Sequence, residues 1–222
     1  MLDALLSVIA PLDCVGCKAE GLLLCENCSK LCIDNKTECF FCGVTVTDAE
    51  MCPKCACKQE FKSLTSVGWY KDILKDAVYA YKFGHKRGAA NNLATLMKAQ
   101  PDGDDAEVMY IPTSAVHRRE RGFDHAALLA RSFAYKNALP LNAGLKRTNN
   151  TRQLGGGKRD RKDHIGGVFC VTNSASVKGK HVLLIDDVIT TGATLNEAAR
   201  VLKKAGVKSV RAIVLAKTPI TH

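Results

Sequence analysis

Val182-Leu183-Leu184-Ile185-Asp186-Asp187-Val188-Ile189-Thr190-Thr191-Gly192-Ala193-Thr194-Leu195 decides how this chain is read. It opens on a continuous run of valine, leucine and isoleucine, the pattern of a strand covered on both faces and therefore parallel and internal. Asp186 and Asp187 fall at the carboxyl end of that strand, where open α/β sheets bind ligands. Leu195 to Lys204 has helical spacing of apolar residues. The threonine- and glycine-rich loop therefore leads into a helix N-terminus, where amides and hydroxyls gather around an anion. A plainer alternative is a strand–loop–helix joint capped by Asp187 or Thr194. The adjacent carboxylates after a buried strand favour a ligand site, and their chemistry suits a phosphorylated sugar.

This stretch resembles the 5-phosphoribosyl-1-pyrophosphate (PRPP) motif of type I phosphoribosyltransferases: a hydrophobic strand, two acidic residues, then a phosphate loop. The resemblance implies that Asp186 and Asp187 are the catalytic acidic pair holding the ribose 2- and 3-hydroxyls. It assigns Val188, Ile189, Thr190, Thr191, Gly192, Ala193 and Thr194 to the 5-phosphate. Pro112, Thr113 and Ser114, after a strand at Val108 to Ile111, would face pyrophosphate, and Mg²⁺ would accompany PRPP.

The rest of the chain alternates strands and helices. Val67 to Tyr70, Val108 to Ile111, Val168 to Thr172 and Val210 to Leu215 read as further strands of the same sheet. Ile73 to Phe83, Ala90 to Met97 and Ala126 to Ala138 carry helical periodicity. The expected class is α/β, a mostly parallel sheet flanked by helices. A chain of 222 residues suffices for one such core and a small module.

That module is announced by cysteine. Ten of the eleven cysteines lie between Cys14 and Cys57, which places a domain boundary near residue 60: a zinc-binding domain over 1–60 and a phosphoribosyltransferase-like domain over 61–222. Four Cys-x-x-Cys pairs, Cys14/Cys17, Cys25/Cys28, Cys39/Cys42 and Cys52/Cys55, suit two tetrahedral Cys₄ zinc sites. Sequential and interleaved pairing are both open, with short spacers slightly favouring the sequential. Cys32 and Cys57 are left as buried thiols or substitute ligands. A disulfide framework fits poorly with a chain lacking a secretory signal. Met1 to Ala10 is apolar without a basic leader and reads as a short packing helix of a cytoplasmic protein. No stretch approaches the ~20 apolar residues of a membrane span.

A second set of residues narrows the family. Tyr81-Lys82-Phe83-Gly84, the run from Pro112 through His117-Arg118-Arg119-Glu120-Arg121-Gly122-Phe123, and Leu145-Lys146-Arg147-Thr148 with Thr151-Arg152-Gln153-Leu154 resemble the competence-protein-F (ComF) family. That family couples an N-terminal double zinc ribbon to a phosphoribosyltransferase-like domain and is associated with natural transformation. Three positions depart from its pattern: Asp124-His125 stand where Asn-Gln is expected, and His164 replaces an Asn. Both histidines are candidate acceptor bases, expected at the surface. Arg118, Arg119, Arg121, Arg147, Arg152, Lys158, Arg159 and Arg161 belong to basic clusters that grip pyrophosphate or nucleic acid. By the resemblance, the glycine-rich part of this segment is a closing hood.

A formal net charge of +10 agrees with anionic partners. The preferred reading is a cytoplasmic DNA-uptake protein that binds PRPP and, through basic and zinc-ribbon surfaces, single-stranded DNA, together with DNA-uptake or DNA-processing proteins. A nucleobase-salvage phosphoribosyltransferase and a non-catalytic zinc-dependent adaptor are the alternatives.

Overall fold

The computed structural model describes residues 12–34, 38–47, 50–84, 86–97, 106–148 and 167–219. In chain order its elements are α1 (Glu26–Lys30), α2 (Pro53–Ala56), β1 (Ser63–Trp69), α3 (Asp72–Phe83), α4 (Ala89–Ala94), β2 (Ala106–Tyr110), α5 (Ala115–Arg121) and α6 (His125–Lys136). They continue with β3 (Leu145–Arg147), β4 (Phe169–Val171), α7 (Ser174–Val177), β5 (His181–Ile189), α8 (Ala193–Lys204) and β6 (Ser209–Lys217). Four strands form one parallel sheet in the order β1-β6-β5-β2. The strand that opens the decisive stretch is therefore internal, with Ile185 opposite Ile213 on one side and Tyr110 on the other.

Side chains alternate across this sheet as the pleat requires. Leu183, Ile185, Ile213 and Leu215 face a core built with α3, α4 and α6. Val182, Leu184, Val210, Ala212 and Val214 face a second core shared with α8. Both sides are covered, which is why the strands read as unbroken apolar runs.

Two sequence expectations change. Val168 to Thr172 does not extend the main sheet: β4 pairs antiparallel with β3 in a separate two-stranded ribbon. Its burial explains this, because only Leu145 and Phe169 are buried while Lys146, Arg147 and Cys170 are exposed, the mark of a half-wet antiparallel pair. The run Ala115–Arg121, read only as a basic cluster, is helical, capped by Ser114 at its start and by left-handed Gly122 at its end. The apolar opening of the chain lies outside the described residues.

The cysteine-rich segment contributes to both cores. Cys14, Leu23, Leu24 and Cys28 join the first, and Cys39, Phe40, Met51, Cys52 and Cys55 join the second with Phe61. Polar contacts seat it as well. The Asn92 carboxamide exchanges two hydrogen bonds with the Leu24 backbone, at 2.8 and 3.0 Å. Lys217, only 2 % exposed, places its ammonium 3.0 Å from both Asp34 and Glu50 and over the Trp69 ring. The Glu50 carboxylate also accepts from the Ser66 amide and hydroxyl. At Gly68 the backbones meet so closely that a Cβ would lie 2.0 Å from the Cys32 carbonyl oxygen, so only glycine fits.

Candidate functional site

Strand β5 carries Asp186 and Asp187 to the carboxyl edge of the sheet. Asp187 is 5 % exposed and is clamped from two sides: the Lys82 ammonium at the end of α3 lies 2.8 Å from Oδ1, and His125 Nε2 in the first turn of α6 meets Oδ2. Burial alone would raise its pKa, but the His125 hydrogen bond and the Lys82 charge outweigh it and hold the carboxyl below the usual carboxylate range. Asp186 has the opposite fate. Burial, and then the neighbouring Asp187 charge, push its carboxyl up, although it accepts the Asp187 amide at 2.9 Å. The adjacent acids are thus split into a firmly ionised, structurally committed Asp187 and a more readily protonated Asp186.

Beyond β5 the chain turns through Thr190, Thr191 and Gly192 into α8. Val188 and Ile189 still belong to the strand, and the Ile189 side chain is buried in the second core, so those two can offer only backbone to a ligand. Thr190, Thr191, Ala193 and Thr194 are exposed. The start of α8 differs from the starts of its neighbours. Ser114 caps α5 and Asp124 caps α6 through their side chains, whereas Gly192, with φ at 79°, offers α8 no side-chain cap. The Ala193 amide donates to the Thr191 hydroxyl at 3.3 Å, which leaves the Thr194 and Leu195 amides for an anion.

A cavity of about 380 Å³ opens over the acidic pair. Thr113, Ser114 and Pro112 form one wall, Lys82 and Arg147 bring positive charge to it, and the His117 ring lines it beside them. The sequence-predicted pyrophosphate loop, the acidic pair and one predicted basic residue, Arg147, therefore come together. Arg118 and Arg119 stand exposed on α5 outside that wall, and Arg121 closes the helix. Arg152, Lys158, Arg159, Arg161 and His164, and with them the expected hood, lie outside the described residues.

His125 corrects an expectation. It is buried, not on the surface, and its ring serves Asp187. The reason was visible in the helix period: His125, Leu129 and Phe133 share the buried stripe of α6. Lys82 entered the sequence reading only within the run Tyr81-Lys82-Phe83-Gly84, and nothing in its local sequence announced Asp187 as its partner.

The cysteines resolve into two groups, Cys14/Cys17/Cys25/Cys28 and Cys39/Cys42/Cys52/Cys55, each with sulfurs within 4.8 Å of one another. Pairing is sequential. Cys17 and Cys25 sulfurs are 3.6 Å apart, and those of Cys42 and Cys52 are 3.7 Å apart. A tetrahedral ion with Zn–S bonds of ~2.3 Å requires sulfur separations of about 3.8 Å. Burial would raise the Cys14 thiol, but amides of Cys17, Cys25 and Gly16 bring it down to about 6, as a thiolate ligand needs. The two groups suit two zinc ions. Cys32 is buried and pushed up to about 11 by burial and the charge on Cys14; Cys57 is exposed and is not a buried thiol as expected. Neither belongs to a metal group.

Residues 120–221 match the family model described as the phosphoribosyl transferase domain. Over almost its full length the chain is also similar to Competence protein F of Haemophilus influenzae, 29% identical over 222 aligned positions that cover 92% of this chain and 96% of that protein. Competence protein ComFC of Bacillus subtilis is 35% identical to this chain over 149 positions, 64% of it and 58% of ComFC. DNA utilization protein YhgH of Escherichia coli (strain K12) is 26% identical over 211 positions, 88% and 90% of the two chains. Among the described residues, no helix is long and apolar enough to cross a membrane.

Proposed function

We propose that this is a ComF-like protein that binds PRPP at the carboxyl edge of β5 and acts in the uptake and processing of single-stranded DNA in the cytoplasm. One observation carries the PRPP reading: two carboxylates at the end of an internal parallel strand stand beside an uncapped helix N-terminus and a cationic cavity. In this reading the amides from Thr190 to Thr194 take the 5-phosphate. Asp186 accepts a ribose hydroxyl, Asp187 holds Lys82 and His125 in register beneath it, and Thr113, Ser114 and Arg147 meet pyrophosphate.

Asp186 and the phosphate oxygens make an all-oxygen donor set, which fits Mg²⁺; when bound, the ion neutralises charge that builds on pyrophosphate. The protein's own part in any transfer is positional and electrostatic: Lys82, His117 and Arg147 lie where pyrophosphate charge would develop. His125, the base considered for a nucleobase acceptor, is already engaged by Asp187, which favours PRPP binding coupled to DNA over nucleobase salvage. Segment 1–60 is assigned to zinc binding and 61–222 to the phosphoribosyltransferase-like unit. The names of the relatives and the formal net charge of +10 support single-stranded DNA and DNA-uptake proteins as partners.

Calorimetric titration of the zinc-loaded protein with PRPP and Mg²⁺ tests the reading. The parent is expected to bind and Asp186→Asn to lose binding while keeping its circular dichroism and zinc content. No heat of binding with the parent would refute it.

A further inference from the structure

A second cleft, of about 600 Å³, lies between α4 and α6, with Asp124 in its lining and neither residue of the acidic pair. Arg87, Asn91, Tyr110, Phe123, Arg131 and Tyr135 line it. Its volume falls within the ~300–1,000 Å³ of ordinary small-ligand pockets. The α6 residues facing it, among them Leu128, Arg131 and Tyr135, form a stripe at helical spacing that continues from the capping Asp124, so the cleft is built on a rigid element and not on a loop tip.

Three features define what it takes. The first is charge: two guanidiniums face one carboxylate, and that carboxylate is spent. Asp124 accepts the Ala127 amide at 3.1 Å and the Thr113 hydroxyl at 3.0 Å. The second is flat apolar surface from the Phe123, Tyr110 and Tyr135 rings, with Tyr135 86% exposed. Arg87 is already set over Phe123, 5.3 Å from the ring centroid, and donates to the Gly122 carbonyl at 2.9 Å. The third is uncommitted polarity. Among the described residues, the side chains of Asn91, Tyr110, Arg131, Ser132 and Tyr135 make no hydrogen bond or ion pair.

We propose that this cleft binds one nucleotide unit, its base against the aromatic rings and its phosphate at Arg87 and Arg131. A bare inorganic anion would leave the rings unused, and a neutral apolar molecule would strand two cations. An aromatic base with a phosphate uses both, and Asn91 and Ser132 supply donors and acceptors for base edges. The unit comes either free or within a single strand, and the assay separates these sources. The inference stands apart from the PRPP reading, because none of the groups it uses touches Asp186 or Asp187.

Calorimetry with AMP and fluorescence anisotropy with a labelled oligothymidylate of about ten residues test it on the zinc-loaded protein. Tyr135→Ala is expected to weaken whichever probe binds by about tenfold or more, while Tyr135→Phe retains affinity. Arg131→Ala is expected to reduce the salt slope of oligonucleotide binding by about 0.7. Asp186→Asn leaves this binding intact. AMP binding that disappears with the cleft variants identifies a free nucleotide, and loss confined to the oligonucleotide identifies a strand. The proposal is overturned if neither probe binds, if Tyr135→Ala and Arg131→Ala bind as the parent does, or if only Asp186→Asn abolishes binding.

Discussion

Phe41, in the second cysteine group's loop, leans directly on the turn that begins α8. A Cβ on Gly192 would lie 3.2 and 3.3 Å from two carbons of its ring. Gly192→Ala therefore meets two separable costs. A left-handed φ of 79° costs an alanine ~1–2 kcal/mol, and crowding against the ring adds about 1 kcal/mol, so destabilisation of about 2–3 kcal/mol is expected. Phe41→Ala removes part of a half-buried ring, roughly half the ~3–5 kcal/mol of a full core truncation. In the double variant the backbone cost persists but the crowding vanishes. Its destabilisation should then fall about 1 kcal/mol short of the sum of the singles. Urea unfolding of zinc-loaded protein, followed by far-ultraviolet circular dichroism and the fluorescence of the single tryptophan, Trp69, measures all four corners of the cycle. Additivity within ~0.5 kcal/mol would show that the ring does not buttress the loop.

The split acidic pair makes opposite predictions for its two members. Because the folded pKa of Asp186 is raised, its penalty appears as pH rises above the unfolded value of about 4 and is complete above the folded pKa. Asp186→Asn should raise the unfolding free energy at pH 8 by about 1.4 kcal/mol for each unit of that displacement, seen as a higher urea midpoint, and change nothing at pH 3; an unchanged midpoint at pH 8 would contradict the reading. Because the folded pKa of Asp187 is depressed, its contribution is full above the unfolded value and fades as pH falls through the folded pKa. Asp187→Ala should cost ~3–5 kcal/mol at neutral pH by stranding Lys82 and His125, a loss visible in the same titration. Lys217→Met should cost a similar ~3–5 kcal/mol, since Asp34 and Glu50 would face one another without their cation; a neutral effect in urea would show that water already screens them. Metal analysis should find two zinc ions per chain, with one lost in Cys17→Ser and one in Cys42→Ser, and cobalt substitution should give tetrahedral tetrathiolate bands.

Much of the fold was legible because local patterns report local physics. Unbroken apolar residues at Val182 to Ile185 require cover on both faces, and the structure supplies it with β6 on one side, β2 on the other and a core above and below. Cys-x-x-Cys spacing announces metal because two thiolates three residues apart reach one ion, whatever surrounds them. The β3–β4 ribbon was misread because a three-residue strand has too few positions to show which partner it will meet.

By itself, then, the sequence determined the class of sheet, the acidic end of its central strand, the turn into α8 and the donor set of the zinc sites, all features of contiguous residues. Only the tertiary structure decided which cysteine pairs share an ion, that Lys82 and His125 clamp Asp187, that Phe41 rests on Gly192, and that Arg87 and Arg131 face one cleft. Each of these joins residues far apart in the chain. Their distances depend on how helices cross and strands register, and no local periodicity encodes that geometry.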